Sequence, residues 1–217
     1  MVFKMNLIFL GAPGSGKGTQ SQKLCNVYRL IHLSTGDIIR QAIRNNSSWG
    51  LKTKEYLDAG KLVPDEQVIN FVQETIDNLT EDFILDGFPR TVKQAHALQE
   101  ILEKKEQQID FVIYLEADLE HLIDRITNRL VCPTCNRTYN KLINKPKIEM
   151  QCDEDGATLI QRDDDTKEKA KIRIQTYLNE TLQLVEYYQE ENLLHVVDAN
   201  QSSKLVFNGI KSILDSV

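Results

Sequence analysis

Near the N-terminus, Gly11-Ala12-Pro13-Gly14-Ser15-Gly16-Lys17-Gly18-Thr19 has the composition of a phosphate cradle. Glycines let backbone N–H groups turn toward phosphate oxygens, and a helix opening at the loop adds the positive end of its dipole. Lys17 supplies a point charge between the β- and γ-phosphates of a nucleotide. A glycine-rich string alone is weak evidence; its place after an apolar run and before a helical pattern gives it meaning. The Ser or Thr that usually follows the lysine as a Mg²⁺ ligand is replaced by Gly18, with Thr19 one place later. Phe83-Ile84-Leu85-Asp86 reads as a partner strand whose terminal carboxylate, Asp86, organises that metal through water. On its own, an Asp after a strand is most often a turn residue.

A second group of residues points to a metal of another kind. Cys132, Cys135, Cys152 and Asp155 form the pattern C-x₂-C-x₁₆-C-x₂-D, whose two knuckles suit a tetrahedral zinc ion with carboxylate as the fourth ligand. Four protein ligands leave no open position, so the site is expected to be structural. Asp155 falls in register, while Asp153 and Glu154 remain alternatives. The bland readings are three unpaired thiols in a hairpin, or a Cys132–Cys135 redox pair, although that motif normally sits at a strand-to-helix junction.

The elements that must position these groups are legible as apolar runs. Leu7-Ile8-Phe9-Leu10, Leu30-Ile31-His32-Leu33, Phe83-Ile84-Leu85, Phe111-Val112-Ile113-Tyr114-Leu115 and His195-Val196-Val197 are continuous rather than alternating, as strands covered on both faces are. Helical patterns lie between them. Ile174, Leu178, Leu182 and Val185 share a face in one long helix, and Val206, Ile210, Ile213 and Val217 do so in the last. The expectation is a three-layer α/β fold around a parallel sheet. Two stretches fit it as insertions: a helical one from about 34 to 64, broken at Trp49-Gly50, and a small module holding the cysteines. At 217 residues, 41% hydrophobic and 27% charged, the chain needs no covalent staples. The segment from Met1 to Leu10 reads as a buried strand rather than a secretion signal, and no run approaches the length of a membrane span. The reading is therefore a cytoplasmic protein without a membrane partner. A net charge of −6 argues against a nucleic-acid partner.

Three strings together carry a resemblance. Gly11-Ala12-Pro13-Gly14-Ser15-Gly16-Lys17-Gly18-Thr19-Gln20, Ser34-Thr35-Gly36-Asp37-Ile38-Ile39-Arg40 and Asp86-Gly87-Phe88-Pro89-Arg90-Thr91 match, in order, three signatures of the adenylate kinases, and the chain resembles that family over nearly its full length. The resemblance implies a P-loop fold with a five-stranded parallel sheet in the order 2-3-1-4-5. Residues 1–33, 65–128 and 163–217 would form the core, 34–64 the monophosphate-binding insertion and 129–162 a mobile zinc-binding lid. It implies Mg²⁺ with ATP as donor, AMP as acceptor and ADP as product, handled by a monomer.

The resemblance also assigns roles. Gly14, Ser15, Gly16, Lys17, Gly18, Thr19 and Arg129 would hold ATP, and Thr35, Arg40, Gly87, Arg90, Gln94, Arg162 and Arg173 would hold AMP. Lys17, Arg90, Arg125, Arg129, Arg162 and Arg173 would act on the transferring group. The arginines so used, with Arg40, are most of the nine in the chain. Arginine suits the task because its planar fork pairs two phosphate oxygens, whereas the ordinary fate of any one arginine is a solvated surface charge. Thr35 and Gln94 would read the adenine, and Asp164 and Asp165 would take part in lid closure. Local readings compete here: Ser34-x-x-Asp37 and Thr91-x-x-Gln94 can cap helices, and Asp163, Asp164 and Asp165 can complement a helix dipole. His32, His96, His121 and His195 match no motif. The nearest rival is a UMP or CMP kinase, which Thr35 and Gln94 disfavour. A GTPase would need Asn-Lys-x-Asp, which Asn144-Lys145-Pro146-Lys147 is not, and a zinc-knuckle nucleic-acid binder is disfavoured by the acidic balance. Chemically, the acceptor phosphate has a second pKa of about 6, so the nucleophile needs no general base.

Overall fold

The computed structural model describes residues 5–216. Strand β1 (Leu7–Gly11) runs into helix α1 (Lys17–Tyr28) and β2 (Ile31–Ser34), followed by α2 (Thr35–Arg44), α3 (Ser48–Asp58) and α4 (Asp65–Asp77). Next come β3 (Phe83–Asp86), α5 (Val92–Glu103), β4 (Phe111–Glu116) and α6 (Leu119–Thr127), then the short β5 (Arg129–Val131) and β6 (Thr138–Asn140). Helix α7 (Lys167–Thr176), a π turn over Tyr177–Thr181 and α8 (Gln183–Glu190) lead to β7 (Leu194–Asp198) and α9 (Ser203–Leu214).

Five strands pair in parallel in the order β2-β3-β1-β4-β7, which is the expected 2-3-1-4-5 with β7 as the fifth strand of the main sheet. The continuous apolar runs of β1, β3 and β4 are covered on both faces as anticipated, whereas the edge strands β2 and β7 leave Ile31 and Val196 exposed. Ile8 and Leu10 of β1 face a cluster with Val72, Ile76, Leu98 and Leu184, on the side covered by α4, α5 and α8. Leu7 and Phe9 face Leu24, Val206 and Ile210, on the side covered by α1 and α9. Each such side chain, withdrawn from water on either face, contributes roughly 1.5–3 kcal/mol.

Helical registers differ from the sequence reading in two places. Along α7 and α8 the buried series is Ile174, Tyr177, Thr181, Leu184 and Tyr188, while Leu182 is exposed. The buried positions step by three and four residues in turn, the ordinary α-helical stripe, whereas two successive steps of four from Ile174 through Leu178 carry Leu182 about 80° off that face. In α9, Val206, Ile210 and Leu214 are buried; Val217 lies outside the described residues, as do Met1 to Lys4.

The 34–64 stretch is also not broken at Trp49-Gly50. The break is at Asn45–Ser47, where Asn46 has φ +51°, and Gly50 lies in the first turn of α3. A Cβ at Gly50 would come within 2.3–2.5 Å of the Ala42 and Ile43 backbone, so the glycine permits α2 and α3 to cross closely. Residues 129–162 form a compact module: β5 pairs antiparallel with β6, Val131 bridges Ile160, and Gln151 bridges Thr158. Its core is small, consisting of Leu130, Cys132, Tyr139, Cys152 and Leu159 with Ala157 against them.

Candidate active site

The C-terminal ends of the parallel strands open onto a cleft of about 480 Å³, the size of a small-molecule site. The loop between β1 and α1 forms its floor. Gly16, at φ +106°, occupies the N-cap of α1 and offers no side chain, so the first-turn N–H groups stay available to a ligand. Gly14, Ser15, Gly16, Lys17, Gly18 and Thr19 all line the cleft. Lys17 Nζ donates to the carbonyls of Gly11 at 2.7 Å and Ala12 at 3.1 Å. Burial pushes its pKa down to about 8; Asp86 opposes that shift, and Arg90, Arg173 and Arg129 add to it.

Asp86 ends β3 beside the cradle. A side chain at Gly18 would sit 3.6 Å from Asp86 Oδ2, so the position lacking the usual hydroxyl faces this carboxylate. Burial opposes its ionisation, but the hydrogen-bonded His32 and the charge of Lys17 outweigh that and hold the pKa below the usual carboxylate range. His32 Nε2 lies 3.4 Å from Asp86 Oδ2, which gives this histidine a partner that no motif indicated.

Arg40, Arg90, Arg125, Arg129, Arg162 and Arg173 all line the same cleft. Their partners are acidic or carbonyl oxygens. Asp37 Oδ1 accepts from Arg40 at 2.5 Å and from Arg162 at 2.8 Å, and Asp37 N donates to the cap Ser34 Oγ, so capping and bridging coexist. Asp165 takes both Nε and Nη2 of Arg129 and also Arg173 Nη1 at 3.1 Å. Asp164 lies 3.0 Å from Arg173 and 3.7 Å from Arg40. Both aspartates are buried and ion-paired. Arg125 donates to Ala199 O at 3.2 Å. Burial, and repulsion among the guanidinia, push Arg90, Arg162 and Arg173 down in pKa. Burial acts the same way on Arg129, but Asp165 more than offsets it. Crowded cations of this kind are relieved by an anion bound among them.

Beside the arginines is a second cavity of about 70 Å³, lined by Thr35, Gly36, Arg40, Leu62, Val63, Gly87, Arg90 and Gln94 among others. Thr35 Oγ1 donates to Gly87 O at 2.9 Å, and Arg90 Nε donates to the same carbonyl at 2.7 Å. Gln94 Oε1 accepts from Arg90 N at 2.8 Å and its Nε2 donates to Asp65 Oδ1 at 2.7 Å, while its own N–H reaches the cap Thr91 Oγ1. The capping and cavity-lining readings of Gln94 therefore hold together.

Cys132, Cys135, Cys152 and Asp155 converge in the 129–162 module with their ligand atoms all within 4.8 Å of one another. Cys135 Sγ and Cys152 Sγ are 3.6 Å apart, and Cys132 Sγ lies 3.2 and 3.4 Å from the Asp155 oxygens. A tetrahedral zinc with Zn–S of about 2.3 Å and Zn–O of about 2.0 Å sets S–S near ~3.8 Å and S–O near ~3.5 Å, so this donor set fits. The alternative carboxylates are engaged elsewhere, Asp153 by Lys147 N at 2.8 Å and Glu154 by Arg137 at 2.7 Å. None of the three cysteines is in a disulfide. Gln22 Nε2 on α1 donates to Asn136 O at 2.8 Å, and both residues line the cleft.

Asp37, Asp65 and His32 carry contacts that sequence reasoning did not assign. Asp37 meets Arg162 across 125 positions and Asp65 meets Gln94 across 29, so no local motif could report either. No helix among the described residues is long and apolar enough to cross a membrane.

The comparisons with known proteins agree with this geometry. The family model for adenylate kinase matches residues 9–193. A protein named adenylate kinase from Shouchella clausii is 46% identical over 212 residues, covering 97% of this chain and 98% of its own. Those from Oceanobacillus iheyensis and Mycoplasma capricolum are each 44% identical, covering 97% of this chain and 99% of their own. The chain belongs to the adenylate kinase family.

Proposed function

We propose that the chain moves the terminal phosphoryl group of Mg-ATP to AMP, reversibly, giving two ADP by in-line transfer without a general base on the protein. The observation that carries this reading is one cleft holding a glycine-rich loop with Lys17, the carboxylate of Asp86 and six arginines. Such an arrangement does what phosphoryl transfer asks of a protein, which is positioning and charge neutralisation.

On this reading Gly14, Ser15, Gly16, Lys17, Gly18 and Thr19 bind the donor phosphates and Arg129 helps hold ATP. Arg40 and Arg90 clamp the acceptor phosphate, and Arg162 and Arg173 join it to the group in flight, with Arg125 beside them. Thr35, Gly87 and Gln94 form the acceptor's base slot. Asp86 would hold the Mg²⁺ that accompanies ATP, which would supply charge neutralisation at the phosphates. Residues 34–64 serve as the acceptor insertion, 129–162 as the lid, and the rest as the core. The lid excludes water, which would otherwise compete as acceptor. Cys132, Cys135, Cys152 and Asp155 would hold a zinc ion whose part is structural, since four protein ligands would leave no open position. A single chain supplies every group named, which supports action as a monomer, and cytoplasmic nucleotide pools suit these substrates.

A coupled assay with AMP, GMP, CMP and UMP as acceptors tests the whole reading. AMP should be preferred by at least about 100-fold in kcat/KM. A preference for CMP or UMP would overturn it.

Gln94→Leu tests the base slot alone. Losing a buried amide that pairs with adenine should lower kcat/KM for AMP by about 10–100-fold, through one to two unpaired polar groups. The KM for ATP should stay near its original value. Equal losses for both nucleotides would reduce Gln94 to a helix cap.

A further inference from the structure

We propose that Asp65 is a specificity-determining residue: it fixes the orientation of the Gln94 amide, so that the slot accepts a 6-amino purine and rejects a 6-oxo purine. This rests on the reading of Gln94 as a contact to the acceptor base.

A glutamine amide has one face that only accepts and one that only donates, and a half-turn about its last torsion exchanges them. In this structure both faces are held by groups that cannot adapt. Arg90 N can only donate, and it meets Oε1 at 2.8 Å. The Asp65 carboxylate can only accept, and it meets Nε2 at 2.7 Å. The flipped amide would set oxygen against carboxylate and N–H against N–H. Asp65 is itself held in place, since Thr91 Oγ1 donates to both of its oxygens at 3.2 Å.

After these bonds Gln94 keeps one unused N–H and one unused oxygen lone pair, and the residue lines the small cavity. Adenine presents a donor at its 6-amino group beside an acceptor at N1. That pattern pairs with an amide whose oxygen lies at the 6-position and whose N–H lies at N1. Hypoxanthine presents the reverse, an acceptor at O6 and a donor at N1, and would need the flipped amide. Discrimination between the two bases thus depends on what prevents the flip. Asp65 sits at the first position of α4, away from the three motif strings, and it acts through Gln94 rather than on substrate.

The test compares AMP with inosine monophosphate as acceptors for Asp65→Asn and Asp65→Glu, at saturating Mg-ATP. Asparagine has the same size and can turn its own N–H₂ toward Gln94, so the flipped amide becomes tolerable on that side. The ratio of kcat/KM for AMP over inosine monophosphate should fall at least about tenfold in Asp65→Asn, mainly through the acceptor KM. Asp65→Glu, which keeps a carboxylate, should retain the ratio within about threefold. If Asp65→Asn is not obtained folded, Asp65→Ser is read in the same way. A purely structural role would lower the melting temperature and depress both acceptors equally, and an unchanged ratio overturns the proposal. The two failures are separable. If Gln94→Leu leaves AMP turnover intact, the base-slot reading falls; if it damages AMP turnover while Asp65→Asn keeps the ratio, only the role of Asp65 falls.

Discussion

Lys17→Ala is expected to lower kcat by about 10³-fold while leaving the protein folded. The ammonium is held by the carbonyls of Gly11 and Ala12 at the cleft floor, and burial has already pushed its pKa down to about 8. It is thus a preorganised cation, weakly solvated, beside the site where phosphate charge develops. Removing one such group from a low-dielectric site typically costs ~10²–10³-fold in kcat, or about 3–4 kcal/mol of transition-state stabilisation. Stability should move differently. A lysine whose pKa is lowered on folding costs stability below that pKa, and the cost fades as pH rises toward the unfolded value of 10.5. The alanine variant is therefore expected to be no less stable at pH 7, by thermal unfolding. A pH signature follows from the same shift. The protonated lysine is the form that binds phosphate, so the apparent KM for ATP should be flat below about pH 8 and rise above it. Lys17→Ala should lack that rise. Near-original activity in the purified variant, or a KM profile indifferent to the lysine, would remove the cradle from the mechanism.

Stripping the metal from the 129–162 module should lower its melting temperature by more than about 5 °C. Of the five buried residues in that module's core, two are Cys132 and Cys152, so assembling this core and binding a metal there would be one event. Leu142, Ile143, Ile148, Met150 and Ile160 are exposed and stabilise it little. Tyr139 adds to the coupling. Its Oη accepts from Asp153 N at 2.8 Å, which leaves its own hydrogen for Cys152 Sγ at 3.5 Å, while the residue also lines the cleft. Structural zinc in small modules is worth many kcal/mol of folding free energy. For a chain of this size each kcal/mol corresponds to about 2–4 °C. Protein purified without chelator should carry about one zinc per chain by elemental analysis. Removal under reducing conditions should shift the calorimetric transition of the module or the whole chain. Activity well below that transition should fall less, because Arg125, Arg129, Arg162 and Arg173 lie at or beyond the module's borders, clear of the knuckles. Asp155→Ala should weaken metal retention more than Asp153→Ala, whose carboxylate serves Lys147 N instead. A metal-free native protein, or an unchanged melting curve after stripping, would sink structural zinc and leave the kinase reading standing.

Much of this was legible in the linear chain because it is local. Continuous apolar runs pointed to strands, and Leu7-Ile8-Phe9-Leu10, without alternation, is indeed covered on both faces. The loop from Gly11 to Thr19 lines the cleft, and the two knuckles that end at Cys135 and Asp155 converge, as their spacing suggests. Caps at Ser34 and Thr91 were equally readable, because a helix start is decided within four residues. Long-range pairing was not readable. The reading of one helical face through Leu178 and Leu182 took two steps of four in a row, while the buried stripe alternates steps of three and four and leaves Leu182 at the surface. It put a break at Gly50 where the close crossing of α2 and α3 needed a glycine inside a helix. Which acid meets which arginine, that Asp86 has His32 as a neighbour, and that Asp65 holds Gln94 all depend on where the fold sets distant segments. Residue types and short spacings therefore determined the fold class and the kind of chemistry. Only the tertiary structure decided the partners, because hydrogen bonds and ion pairs are made between atoms brought within about 3 Å, and separation along the chain says nothing about that distance.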